Sequence, residues 1–230
     1  LFEKIYSKVY DGVNKMPPIR RNIFHRAIEV GREYVNKKYI TNEPLGLLNL
    51  KYKFYDQLVF KKIRARFGGR LSYFLCGGAP LDKTINEFMW IIGLPVYNGY
   101  GLTETSPGVA ISGVGMVRFD SVGKALRETE LKLAEDGELL VKGPQVMLGY
   151  YNNDEATMEA LSDGWFKTGD IARIDEEGFV YIVDRKKELI VTAGGKNIAP
   201  QPIENELKLD KYISQAIVFG DRKPYLVAII

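Results

Sequence analysis

One short run concentrates three kinds of chemistry. In Gly99-Tyr100-Gly101-Leu102-Thr103-Glu104-Thr105 an aromatic ring, hydroxyls and a carboxylate sit on a loop flexed by glycines. The ring can stack on a flat ligand, a hydroxyl can meet a phosphate oxygen, and the carboxylate can hold Mg²⁺. A second run, GWFKTGD at 164–170, ends in Asp170 beside a glycine. A carboxylate there can accept two hydrogen bonds from a ribose diol, although a turn aspartate has the same local pattern. A third, Gly77-Gly78-Ala79-Pro80, lets a planar ligand approach the backbone, or simply makes a tight turn. A fourth, DRKKELIVTAGGKNIAPQPIE at 184–204, joins a charged pivot to a glycine hairpin and a proline-led helix. It reads either as an exposed hairpin or as a hinge, because domain motions are absorbed at a few connecting residues.

Other chemistries lose support. Neither a GxxxxGK[ST] phosphate loop nor a GxGxxG turn occurs. The single histidine, His25, lies on a helical stretch with nothing suggestive around it and reads as structural or surface. With one cysteine, Cys76, no intrachain disulfide forms and no Cys/His zinc site is available. Cys76 reads as a small buried apolar residue, and the cysteine usage fits a reducing compartment.

The elements that must position these runs change along the chain. Apolar residues at four-residue spacing, Leu1, Ile5 and Val9, then Ile19, Ile23 and Ala27, predict two helices separated by Pro17-Pro18. A connector is expected over 42–50 and a third helix over 56–67, stopped by Gly68-Gly69. The run 71–76 then predicts a buried parallel strand, followed by a helix over 81–92 and a strand over 95–98. That order implies a doubly wound α/β layer, with ligands at the carboxyl ends of its strands, where the first and third runs fall. From about 121 to 184 short strands (131–133, 138–142, 171–174 and 179–183) alternate with turns, broken by a helix over 154–161. A hairpin at Gly194-Gly195, a helix over 202–209 and strands over 216–219 and 225–230 predict the start of a small α+β unit.

The composition is that of a folded globular chain, 230 residues with 46% hydrophobic and 27% charged, and no apolar run approaches the roughly 20 residues of a membrane span. Net charge is +3, but residues 1–70 carry 16 Lys/Arg against 6 Asp/Glu, and the remainder 16 against 23. A basic first third suits anionic headgroups, nucleotide phosphates or nucleic acid, or is a solvated helical face. No aromatic-interleaved motif supports nucleic acid.

Taken in order, these runs, with GYGLTETSP at 99–107 the most specific and GELLVKGPQVMLGYY at 137–151 in support, resemble the adenylate-forming (AMP-binding) superfamily. LVFKKIRARFGGRLSYFLCGGAPL at 58–81 and TAGGKNIAP at 192–200 look like its long-chain fatty acyl-CoA ligase branch. The resemblance spans essentially the whole chain. It implies part of a doubly wound α/β layer, a distorted β-barrel subdomain and the start of a small α+β C-terminal domain. Residues 1–184 would belong to a large adenylation domain (1–70 helical, 71–115 α/β, 116–184 barrel), and 185–230 would begin the small one. It implies ATP-dependent activation of a long-chain fatty acid through an acyl-adenylate, with release of pyrophosphate and then transfer to CoA, using ATP/AMP, Mg²⁺ and CoA.

By the same resemblance Gly77, Gly78, Ala79 and Pro80 border the adenine, and Tyr100, beside Gly101, stacks on it. Thr103 contacts the α-phosphate, Glu104 binds Mg²⁺, and Asp170 holds the ribose with Arg185 beside it. Lys187 is the hinge, and Gly195 and Lys196 face the CoA side. The family's phosphate loop and C-terminal catalytic lysine have no counterpart in 1–230, so the piece is expected not to adenylate alone. A cytoplasmic setting with peripheral contact to an anionic membrane face is expected, as is a partner copy or a longer chain covering an open sheet edge. The competing readings are an adenylating enzyme for another acid or acceptor, and a non-catalytic nucleotide-binding module.

Overall fold

The computed structural model describes residues 1–113, 115–210 and 212–230. It divides into two compact units, one of residues 1–99 and 112–121, the other of 100–111 and 122–230.

The first unit is helical with a small sheet. Helices α1 (Phe2–Asn14) and α2 (Pro18–Val35) are separated at the prolines, with Pro18 in the first turn of α2, where its missing N–H leaves no helical bond unmade. A π turn (Asn36–Ile40) extends α2. The next helix starts earlier than its sequence suggests. α3 (Leu47–Tyr55) begins directly after Gly46, whose positive φ ends the connector, so half of the expected connector is helix. A second π turn (Asp56–Phe60) and α4 (Lys61–Ala65) continue it. Arg64 spans this irregular turn, binding both carboxylate oxygens of Asp56 at 2.6 and 2.9 Å and the Ile92 carbonyl at 2.7 Å.

Strand β1 (Phe74–Cys76) pairs in parallel with β2 (Val96–Tyr100), with α5 (Lys83–Ile91) between them. The Asp82 carboxylate accepts the Thr84 and Ile85 N–H groups and so caps α5. α5 is buried along almost its whole length and packs on α2 so closely that a Cβ at Gly31 would lie 2.5 Å from Ile91 Cγ2. Two expectations fail here. The strand over 71–76 is neither that long nor buried on both faces: Leu71, Tyr73 and Leu75 are exposed, while Phe74 and Cys76 pack on the core. A strand covered on one face alternates in this way. Cys76 is accordingly half-buried and not a core residue. His25 is exposed, as expected.

The second unit is mostly β. β3 (Ala110–Ile111) and β4 (Lys124–Ala125) pair antiparallel. β5 (Glu130–Leu133) and β6 (Glu138–Lys142) form a hairpin that joins a five-stranded antiparallel sheet with β7 (Leu161–Ser162), β8 (Trp165–Ile174) and β9 (Val180–Arg185). Helix α6 (Asp154–Ala160), capped by the Asn153 side chain, precedes β7. A core of Val109, Ala110, Leu139, Val141, Ala172 and Val180 lies against the sheet. β8 starts six residues before the expected strand, so the GWFKTGD run is strand for most of its length. The chain ends with the hairpin β10 (Ile190–Val191) and β11 (Asn197–Ile198), α7 (Pro200–Leu207), and the pair β12 (Ile217–Phe219) and β13 (Val227–Ile229). Among the described residues no helix is long and apolar enough to cross a membrane.

Candidate active site

Within the second unit, three residues far apart in sequence meet. The Tyr100 hydroxyl donates to Asp170 Oδ2 at 2.5 Å, and Arg185 Nε lies 3.6 Å from Asp170 Oδ1. Register explains the last contact: Asp170 and Arg185 are cross-strand partners on β8 and β9. Irregularities in the ladder fall on both sides of Asp170, between Glu138 and Leu140 opposite β8 and between Ile171 and Ala172 within it. Such bulges re-aim side chains. Asp170 is 5% exposed, and its own N–H donates to the Thr168 hydroxyl, which donates onward to the Leu139 carbonyl.

Burial raises the Asp170 carboxyl above its ordinary range, opposed by the Tyr100 bond and the Arg185 charge. Burial and the same bond push the Tyr100 phenol up, so it stays a donor. A carboxylate has roughly four lone-pair sites; one accepts the Tyr100 hydroxyl and Arg185 stands at ion-pair distance, which leaves capacity for a diol. The Tyr100 ring is thereby pinned at its tip and presents a fixed platform.

The loop after Tyr100 is shaped by sterics. A Cβ at Gly101 would lie 1.4 Å from the Pro107 carbonyl oxygen, so no other residue fits this conformation. Thr105 is buried, and its hydroxyl exchanges bonds with the Leu102 N–H and carbonyl. A short 3-10 turn (Thr103–Thr105) results, with the Thr103 side chain exposed and Glu104 half-buried. Tyr150 donates to Glu104 Oε1 at 2.8 Å, and among the described residues Oε2 accepts nothing.

Among the described residues no group of three or more His, Cys, Asp or Glu could hold a metal ion by itself. One carboxylate with an uncommitted oxygen fits Mg²⁺, which is commonly held by one or two carboxylates together with substrate phosphates.

The remaining candidates lie elsewhere. Gly77, Gly78, Ala79 and Pro80 are exposed on the first unit, where they follow the carboxyl end of β1; a Cβ at Gly77 would sit 3.2 Å from the carbonyl oxygen of Gly99 in β2. Lys187 is exposed in the turn Lys186–Glu188 just after Arg185. Gly195 and Lys196 are exposed at the tip of the β10–β11 hairpin.

Residue spacing did not reveal a second layer. The buried Glu138 accepts the Gly169 N–H at 2.8 Å through Oε1 and Lys186 Nζ at 2.8 Å through Oε2. Lys186 also pairs with Asp136, and these two carboxylates raise its pKa. Lys186 is thus tied, through Glu138, to the residue preceding Asp170. Buried Asp184 accepts the Gln201 N–H, which fixes the first turn of α7. The GEL run carried Glu138 in plain view, but its partners arrive through strand pairing.

The α/β layer and the curled antiparallel sheet agree with the comparisons. The AMP-binding enzyme model matches residues 23–151, and the AMP-binding enzyme C-terminal domain model matches 187–230. The long-chain-fatty-acid–CoA ligase FadD15 of Mycobacterium bovis is 50% identical over all 230 residues, which span 38% of that protein. The long-chain-fatty-acid–CoA ligase ACSBG2 of Xenopus laevis is 37% identical over 98% of this chain and 31% of its own length. Among solved structures, O-succinylbenzoate coenzyme A synthetase (MenE) from Bacillus subtilis in complex with AMP is similar at a TM-score of 0.63 and 31% identity, over 73% of this chain and 39% of that one. The chain belongs to the AMP-binding, adenylate-forming enzymes. It spans about two fifths or less of the length of these relatives.

Proposed function

We propose that the protein carrying this chain activates a long-chain fatty acid as its acyl-adenylate and passes the acyl group to CoA. The observation that carries this reading is the convergence of Tyr100, Asp170 and Arg185 beside the Thr103–Glu104 turn. Identity to long-chain-fatty-acid–CoA ligases supports the substrate class.

In this reading residues 77–80 border the adenine, Tyr100 stacks on it, and Gly101 leaves the loop open to it. Asp170 takes the ribose hydroxyls, with Arg185 steadying the carboxylate. Thr103 donates to the α-phosphate, and Glu104 would hold Mg²⁺. When bound with the nucleotide, Mg²⁺ supplies charge neutralisation at the phosphates. The fatty carboxylate attacks the α-phosphorus and pyrophosphate leaves. The CoA thiol then attacks the acyl carbonyl, and AMP leaves. In-line displacement at phosphorus demands positioning and electrostatics, with little covalent chemistry from the protein.

Residues 185–230 act as the start of a small domain that pivots at Lys187, with Gly195 and Lys196 on the CoA side. The match of residues 187–230 to the C-terminal-domain model supports that division. The basic excess of residues 1–70 supports peripheral contact with anionic lipid, which a liposome assay without anionic-lipid preference would remove.

ATP–pyrophosphate exchange dependent on fatty acid, scanned over chain length, tests the function. Exchange should peak with long chains, and Glu104→Ala should lower it about 100-fold or more. A peak with short or aromatic acids would transfer the reading to another acid. No exchange from the folded whole protein would leave a nucleotide-binding module.

A further inference from the structure

We propose that Tyr150 is a positioning residue that aims the Glu104 carboxylate; this rests on the reading of Glu104 given above. A half-buried glutamate on a turn keeps three side-chain torsions, and ordering it for a metal opposes considerable rotamer entropy. Here the residue is held at two points by one segment. Met147 N–H donates to the Glu104 carbonyl at 2.8 Å, and Tyr150, 46 residues away, donates its hydroxyl to Oε1 at 2.8 Å. One oxygen is thereby fixed, and among the described residues the other carries no hydrogen bond.

Tyr150 is itself anchored. Its N–H donates to the Thr157 hydroxyl at 2.9 Å, and that hydroxyl donates to the Asn153 carbonyl at 2.8 Å in the first turn of α6. The approach needs the glycine that precedes it, since a Cβ at Gly149 would lie 2.8 Å from Thr157 Cγ2. The neighbours differ: Leu148 and Tyr151 project into solvent, whereas Tyr150 is held against the turn. Helix α6 thus supports the metal-side carboxylate through Thr157 and Tyr150.

Tyr150→Phe keeps the ring and removes the donor. The test is calorimetric binding of ATP with Mg²⁺, and of AMP in EDTA, to the whole protein and this variant. The expected result is Mg·ATP binding weakened about fivefold or more, with AMP binding unchanged. The Mg²⁺ concentration giving half-maximal pyrophosphate exchange should rise in parallel. Thr157→Val, which frees the Tyr150 backbone from further away, should shift the same midpoint in the same direction by less. Equal Mg²⁺ dependence in wild type and Tyr150→Phe would overturn the role of Tyr150 alone. Equal loss of Mg·ATP and AMP binding would also overturn it, by making the residue a general support of the pocket. A wild-type protein whose nucleotide binding ignores Mg²⁺ would overturn the Glu104 reading and this one with it.

Discussion

Asp170 concentrates the conflict at this site. In the proposed function its charge serves a ribose diol, yet burial disfavours that charge, and the Tyr100 and Arg185 contacts only partly offset the burial. The sign follows. A carboxyl whose folded pKa is raised binds more protons folded than unfolded in the window just above its ordinary value of 3.8. Its contribution to stability therefore falls as pH rises through that window. Asp170→Asn should remove this slope, seen as a wild-type-minus-variant difference in denaturation midpoint that grows more negative as pH rises from the acid side. The same variant should raise the KM for ATP by about 10-fold or more, because hydrogen bonds to a charged acceptor are worth roughly 1.5–3 kcal/mol.

At the level of elements, two close approaches set the geometry. Helix α2 meets α5 at Gly31, where an added methyl would strike Ile91. Gly31→Ala should destabilise the protein by about 1–3 kcal/mol, the usual effect of overpacking, measured as a lowered midpoint of thermal or urea unfolding. At Gly101 the obstacle is a backbone carbonyl that cannot rotate aside. Gly101→Ala should therefore open the loop and abolish nucleotide binding while leaving the far-ultraviolet circular dichroism of the sheet and helices near wild type. The β8–β9 pairing has a different role. It carries Asp170 and Arg185 into register, and its bulges allow a buried acid to turn toward a phenol.

For the whole molecule, the segment after β9 matters most. The Lys186 pairs with Glu138 and Asp136 anchor the start of this segment, and the bond from Gln201 N–H to Asp184 ties α7 back to β9. A swing at Lys187 would have to release some of these contacts. Proline fixes φ and removes an N–H. Lys187→Pro should thus spare fatty-acid-dependent pyrophosphate exchange and lower acyl-CoA formation by about tenfold or more; steady-state assays of the two half-reactions separate the outcomes. Equal loss of both would place the residue in the nucleotide site and not at a pivot.

How much of this was readable beforehand depended on distance along the chain. Strand β6 and helix α6 lay almost where periodicity and turn residues put them, because both signals act within a few residues. The order of the glycine-rich runs, and with it the family, was legible for the same reason. Leu71, Tyr73 and Leu75 misled because an apolar run does not state how many faces are covered; that depends on which strands and helices lie beside it. Asp170 had the local pattern of a turn aspartate because it follows a glycine, yet pairing with β6, β7 and β9 draws 165–170 into one strand. The sequence by itself determined which chemical groups the protein possesses and in what order they come. Only the tertiary structure decided that Tyr100 meets Asp170, that Glu138 meets Lys186 and that Tyr150 meets Glu104. Those pairings are set by strand register and helix packing between residues dozens of positions apart, and no local pattern encodes them.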